Sequence, residues 1–147
     1  FLLSAGFTFE VIAKLLTTTN CVNRFGFQDS ISTAAPTDAV YIHIAGTTLT
    51  GRTYNNTATS TTASSYTISG STWYRAKVYI NSSSLVTFTL YDMAGLVLWT
   101  DTLATNIPTA AGRETSVTMV SYKTTAGTAD LIDLDWCNVY CETLQVR

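Results

Sequence analysis

This 147-residue sequence predicts an all-β domain, a sandwich or barrel, and three observations carry that prediction. Hydrophobic residues recur with a period of two through most of the chain, the spacing at which a pleated strand turns one face inward. Clusters of Gly, Asn, Asp, Ser and Pro interrupt the alternation every ~8–12 residues, the rhythm of short strands joined by turns. No window combines a helical period with helix caps. The chain is long enough to bury one core and shows neither linker nor internal repeat, so residues 1–147 read as a single domain.

The elements follow in order. From Phe7 to Leu15, the residues Phe7, Phe9, Val11, Ala13 and Leu15 share one face, and Thr8, Glu10 and Lys14 the other. Arg24 to Gln28 puts Phe25 and Phe27 together; Ala39 to Ala45 turns Val40, Ile42 and Ile44 inward, with Tyr41 and His43 outward. Thr47 to Ser71 is rich in Thr, Ser and Asn. Its apolar content predicts one or two edge strands with long loops, around Arg52–Tyr54 and Tyr66–Ile68. Trp73 to Ile80 sets Tyr74, Ala76, Val78 and Ile80 against Trp73, Arg75, Lys77 and Tyr79. Asn81 to Ser84 turns the chain into Leu85–Tyr91, with Val86, Phe88 and Leu90 inward. Asp92-Met93-Ala94-Gly95 is a second hairpin turn, Gly95 supplying a positive φ, and Leu96–Trp99 follows. A loop opens at Thr105-Asn106-Ile107-Pro108, and Ser116–Lys123 and Leu131–Tyr140 are the last strands.

Composition excludes several function classes. Charged residues are only 12% of the chain and the net charge is −2, with no polybasic run, which argues against nucleic acid. No apolar stretch reaches the ~18 residues of a membrane-spanning helix. The opening six residues lack the basic flank of a signal peptide, and with no initiator Met the chain reads as a processed product or part of something longer. Cys21, Cys137 and Cys141 are an odd set. Cys137 and Cys141 lie ~13 Å apart along one strand face, too far for a disulfide, and the three read as small buried hydrophobes. Asn55-Asn56-Thr57 and Asn81-Ser82-Ser83 match the glycosylation triplet, which chance supplies in a chain this rich in Asn, Ser and Thr.

Two stretches carry a family likeness. Leu134-Asp135-Trp136-Cys137-Asn138-Val139-Tyr140 resembles the closing strand of concanavalin A-like jelly rolls, and Gly6-Phe7-Thr8-Phe9-Glu10-Val11 resembles their opening strand. The resemblance implies an antiparallel two-sheet β-sandwich, a jelly roll, in which the terminal strands are neighbours. Phe25-Gly26-Phe27-Gln28-Asp29-Ser30, Trp73-Tyr74-Arg75 and Thr105-Asn106-Ile107-Pro108 are similar, in that order, to segments of bacteriophage virion domains of this fold. That likeness implies a non-enzymatic structural protein of a virus particle, acting in host attachment or particle decoration. Its expected partners are other virion proteins or a host surface glycan, and it is expected to form a homo-oligomer. The alternatives are a carbohydrate-binding module or lectin, and a glycoside hydrolase of the same fold. The hydrolases carry their acids in an E-x-D-x-E strand, which this chain lacks: its Glu residues are 10, 114 and 142.

Candidate chemistry is sparse. Asp133 and Asp135 fall on one strand face ~6.5 Å apart, a spacing open to a glycosidase pair, but no third acid or oriented base flanks them. His43, the single histidine, sits mid-strand on a polar face, read as an ordinary surface or interface group with no second base to build a triad. No cofactor is called for. Relatives of the fold imply at most a structural Ca²⁺ between the terminal strands, held by Asp135 with Glu10 or backbone carbonyls. The sharper feature is Trp73, Arg75, Lys77 and Tyr79 on one strand face, with Tyr91 beside them. Aromatics interleaved with cations suit either sugar stacking or a protein contact.

Overall fold

The computed structural model describes Leu3 and residues 6–81, 85–125 and 131–142, the last without its side chain. The expected turn at residues 82–84 and opening residues 1, 2, 4 and 5 lie outside that set. The described strands are β1 (Gly6–Leu15), β2 (Cys21–Gln28), β3 (Ala39–Ala45), β4 (Thr48–Asn55), β5 (Ala58–Thr61), β6 (Tyr66–Thr67), β7 (Trp73–Asn81), β8 (Leu85–Tyr91), β9 (Val97–Leu103), β10 (Ser116–Lys123) and β11 (Ile132–Glu142). There is no helix among the described residues.

The strands form two antiparallel sheets. Sheet A runs β11-β1-β7-β8-β9; sheet B runs β10-β2-β3-β4-β5, with β6 also paired to β4. The chain begins and ends in sheet A, where β1 pairs with β11 from Gly6↔Glu142 to Leu15↔Ile132. That is the jelly-roll closure expected from the terminal strands.

The inward faces match the period-two reading. Phe9, Val11, Val78, Ile80, Val86 and Phe88 from sheet A meet Phe25, Phe27, Val40, Ile42 and Leu49 from sheet B, all fully or almost fully buried. Phe27 takes the edges of Phe7 and Phe9, at 5.7 and 6.2 Å between centroids, which locks the two sheets together near the opening strand. Each such side chain contributes about 1.5–3 kcal/mol on burial. The void lined by Val11, Phe25, Ile44, Leu49 and Leu90 between the sheets is about 20 Å³, too small for a ligand.

Two features depart from the sequence reading. The Thr-rich middle is not mainly loop: β4 is an eight-residue strand flanked by β3 on one side and by β5 and β6 on the other. Its core-facing residues are Leu49, Gly51 and Thr53, and a Cβ at Gly51 would run into the Phe88 ring. The strand therefore trades hydrophobic side chains for a seat under an aromatic ring from the opposite sheet.

The outer face of sheet B is also covered rather than open. Arg24, 5% exposed, donates hydrogen bonds to the carbonyls of Ala34 (2.7 Å), Thr33 (3.0 Å) and Ser32 (3.4 Å) and to the Tyr122 hydroxyl (2.9 Å). These bonds draw the β2–β3 connection back over the sheet. Asp38 adds a second tie, accepting from the Asn56 N–H at 2.9 Å and pairing with Arg113 at 3.2 Å. Tyr41, His43, Tyr54 and Gln28 are buried as a result.

Candidate ligand-binding face

With the sandwich interior closed and sheet B covered, the open surface that gathers chemistry is the outer face of sheet A. The ladder registers place its side chains in rows across the strands. One row is Asp133, Lys14 and Trp73; the next is Trp136, Ile12, Arg75, Tyr91 and Val97. A third is Asn138, Glu10, Lys77, Thr89 and Thr100, and a fourth is Tyr140, Thr8, Tyr79, Thr87 and Thr102. The alternation that buries Phe7, Phe9 and Val11 on β1 and Ala76, Val78 and Ile80 on β7 leaves these residues facing out.

All five residues singled out from sequence, Trp73, Arg75, Lys77, Tyr79 and Tyr91, stand together on this face and are half-buried. Each ring is held by a cation. Lys14 Nζ lies 4.9 Å from the Trp73 ring centre, the Arg75 guanidinium 4.2 Å from Tyr91, and Lys77 Nζ 5.9 Å from Tyr79. Two of the three cations are in turn held by acids: Lys14 pairs with Asp133 at 2.7 Å and Arg75 with Glu10 at 3.6 Å. Exposed pairs of this kind add little stability. What they do here is fix the ring planes before any ligand arrives, which lowers the ordering cost of binding.

The sequence reading missed the other half of the face. Trp136 and Tyr140 on β11 are 42% and 59% exposed, larger exposures than Trp73 or Tyr91 show. Period-two alternation from Asp133 could have found them, since it places Trp136, Asn138 and Tyr140 on one side. Also missed was a cleft of about 310 Å³ where the β8–β9 turn overhangs the sheet, lined by Ile12, Arg75, Asp92, Met93, Ala94 and Gly95. The turn is rigid. Asp92 Oδ1 accepts from the N–H groups of Ala94 (2.9 Å) and Leu96 (2.8 Å), and Gly95 takes the expected positive φ of 89°. The cleft thus has an apolar floor at Ile12, a guanidinium on one wall, and Trp136 in the same row.

Other sequence-predicted candidates are placed differently. Asp133 is occupied by Lys14, and Asp135 is the extra residue of a β-bulge, since Trp136 pairs with Ile12 and Leu134 with Ala13. The regular one-face spacing assumed for the two acids is therefore broken. Glu10 and Asp135, the implied calcium ligands, are not joined into a cage: Glu10 lies level with Asn138 and faces Arg75. Among the described residues no three metal-capable side chains gather, whereas Ca²⁺ takes roughly six to eight oxygens.

His43 is not a surface group. It is 7% exposed, on the outer face of sheet B beneath the covering loop, and its pKa is pushed down to about 4 by burial and then by the charges of Arg52 and Arg24. Cys21 is buried as expected and its thiol donates to the Thr17 carbonyl at 3.1 Å, but Cys137 is exposed and Cys141 half-buried; the partial desolvation that remains at Cys137 pushes its thiol up.

The fold has known relatives. Over residues 1–135 the chain matches the family described as SO2946-like, C-terminal domain. The chain belongs to that family. No curated protein matches this SO2946-like domain. Among solved structures it is similar to the protein of unknown function SO2946 from Shewanella oneidensis MR-1, at 22% identity and a TM-score of 0.76, covering 96% of this chain and 59% of that one. The SO2946-like domain thus spans less than two thirds of that relative. It is also similar to sheep galectin-11 in complex with glycerol (8% identity, TM-score 0.56, 92% of this chain and 90% of that one). A third likeness is to the botulinum neurotoxin serotype C1 binding domain (12% identity, TM-score 0.57, 92% of this chain and 33% of that one). At these identities the likeness is one of fold: an all-β, two-sheet jelly roll.

Proposed function

We propose that this domain is a non-catalytic carbohydrate-binding module that holds a glycan along the outer face of sheet A. The observation that carries the reading is the row geometry: Trp73, Tyr79, Tyr91, Trp136 and Tyr140 on one face, with Glu10, Lys77, Asn138 and Thr residues between them. A sugar ring has an apolar C–H face and a rim of hydroxyls. Aromatic planes take the first, and the intervening amide, carboxylate, ammonium and hydroxyl groups bond the second. The cleft beside Ile12, Arg75 and the Asp92–Gly95 turn gives one sugar unit a concave seat on an otherwise flat face.

The fold supports the same reading, because a galectin solved with a bound polyol shares it over nine-tenths of both chains. Non-catalytic action is supported by Asp133 being held by Lys14 and by His43 lying buried on the opposite sheet. The narrower reading, a phage attachment or decoration domain, rests on the short motif series alone; attachment through a surface glycan would join the two.

The test is a broad glycan and polysaccharide array, followed by calorimetry on the hits. Trp73→Ala and Trp136→Ala are each expected to weaken binding about tenfold or more, since a stacked ring contributes on the order of 1.5 kcal/mol, with the far-ultraviolet circular dichroism spectrum unchanged. An array without a saturable hit, or full affinity in both variants, contradicts the reading.

A further inference from the structure

β11 is the longest strand and forms one edge of sheet A; among the described residues nothing pairs with its far side. Natural edge strands are blunted by charge, proline or shortness, because an open row of N–H and C=O groups templates pairing with another chain. β11 uses none of these devices over its middle. From 136 to 141 it reads Trp-Cys-Asn-Val-Tyr-Cys, with no charge, proline or glycine. Leu134, Trp136 and Tyr140 are 46%, 42% and 59% exposed, and Cys137 and Asn138 are also exposed.

The pattern is also self-complementary. Trp136 and Tyr140 stand two residues either side of Asn138 on the same outer face, as their registers with Ile12, Thr8 and Glu10 show. We propose that β11 is a homodimer seam, where a second copy of this chain adds its own β11 antiparallel, with Asn138 on the two-fold axis.

In that register each Trp136 lies opposite the other copy's Tyr140, an aromatic cross-strand pair made twice. The Asn138 amide, donor and acceptor at once, lies opposite its own copy. Charge selects the direction. The acids of β11 are Asp133, Asp135 and Glu142; antiparallel pairing sets Asp135 against Cys141 and Glu142 against Leu134, whereas parallel pairing would set each acid against itself. The contact is isologous, so it closes at two copies instead of growing into a fibre. Whatever the outer face of sheet A binds, the seam joins two such faces into one ten-stranded sheet.

Sedimentation and light scattering of the wild-type chain test the seam, together with two variants. The wild type is expected at twice its 15.9 kDa mass at tens of micromolar. Asn138→Lys, which sets like charges face to face, is expected to be monomeric with an unchanged far-ultraviolet circular dichroism spectrum, while Thr102→Lys on the opposite edge stays dimeric. Asn138→Cys, in a Cys137→Ser and Cys141→Ser background, is expected to form a covalent dimer under mild oxidation, because directly opposed antiparallel positions lie about 4.5–5.5 Å apart, within disulfide reach. A monomeric wild type overturns the proposal. So does a dimer that survives Asn138→Lys in folded protein, or one that Asn138→Cys does not crosslink.

Discussion

The imidazole of His43 pairs across the ladder with Arg24 on β2 and Thr50 on β4, and the loop drawn in by Arg24 shuts it from water. A proton on that ring would be buried beside two guanidiniums, which is why its pKa falls from 6.5 to about 4. In the unfolded chain the ring has its ordinary value, so on acidification the unfolded state binds the proton first. Stability is therefore full above the ordinary histidine pKa and is lost as pH falls towards about 4. The whole effect is on the order of 3 kcal/mol. In chemical denaturation followed against pH, His43→Gln is expected to flatten this part of the wild-type profile; identical profiles would refute the burial. Sequence alternation put His43 on the outer face of its strand correctly. What it could not supply is that this outer face is roofed, because the roof comes from the β2–β3 connection and is tied down by side chains distant in sequence, Arg24 first and Asp38 with Arg113 second.

At the scale of elements, β3, β8 and β10 fall at the residues expected of them, Ala39–Ala45, Leu85–Tyr91 and Ser116–Lys123. The inward residues of β3 and β8 are large and apolar, so their period is easy to read. β4 was legible only around Arg52–Tyr54, and Gly51 explains why: the strand receives an aromatic ring in place of offering one. Gly51→Ala is expected to cost about 2 kcal/mol or more in denaturant unfolding, and Phe88→Leu to recover part of that cost in the double variant. Additive losses would show that the two residues do not share the space. The covering loop carries its own expectation. Arg24→Met removes four hydrogen bonds from a charged donor, and should speed amide exchange across residues 30–37 while sheet A stays protected. Uniform exchange in the variant and wild type would mean that the loop is held by other contacts.

For the whole molecule, the decisive asymmetry lies between the two outer faces. Sheet B is roofed by the chain's own loop, while sheet A presents five aromatic rings, three cations and a cleft. The Trp73–Tyr79 part of that face was visible in the sequence, since alternation within one strand is enough to assemble it. Trp136 and Tyr140 were equally readable but were overlooked in a strand valued for closing the sandwich. The cleft was not readable, because Ile12, Arg75 and the Asp92–Gly95 turn come from three separate parts of the chain. The most direct measurement of where a glycan sits is an amide and indole NMR titration with a sugar found on the array. The expected result is that the Trp73 and Trp136 indole signals and the amides of β1, β7 and β11 shift together with one dissociation constant. Shifts confined to β2, β3 and β4 would place binding on the roofed sheet and contradict the account.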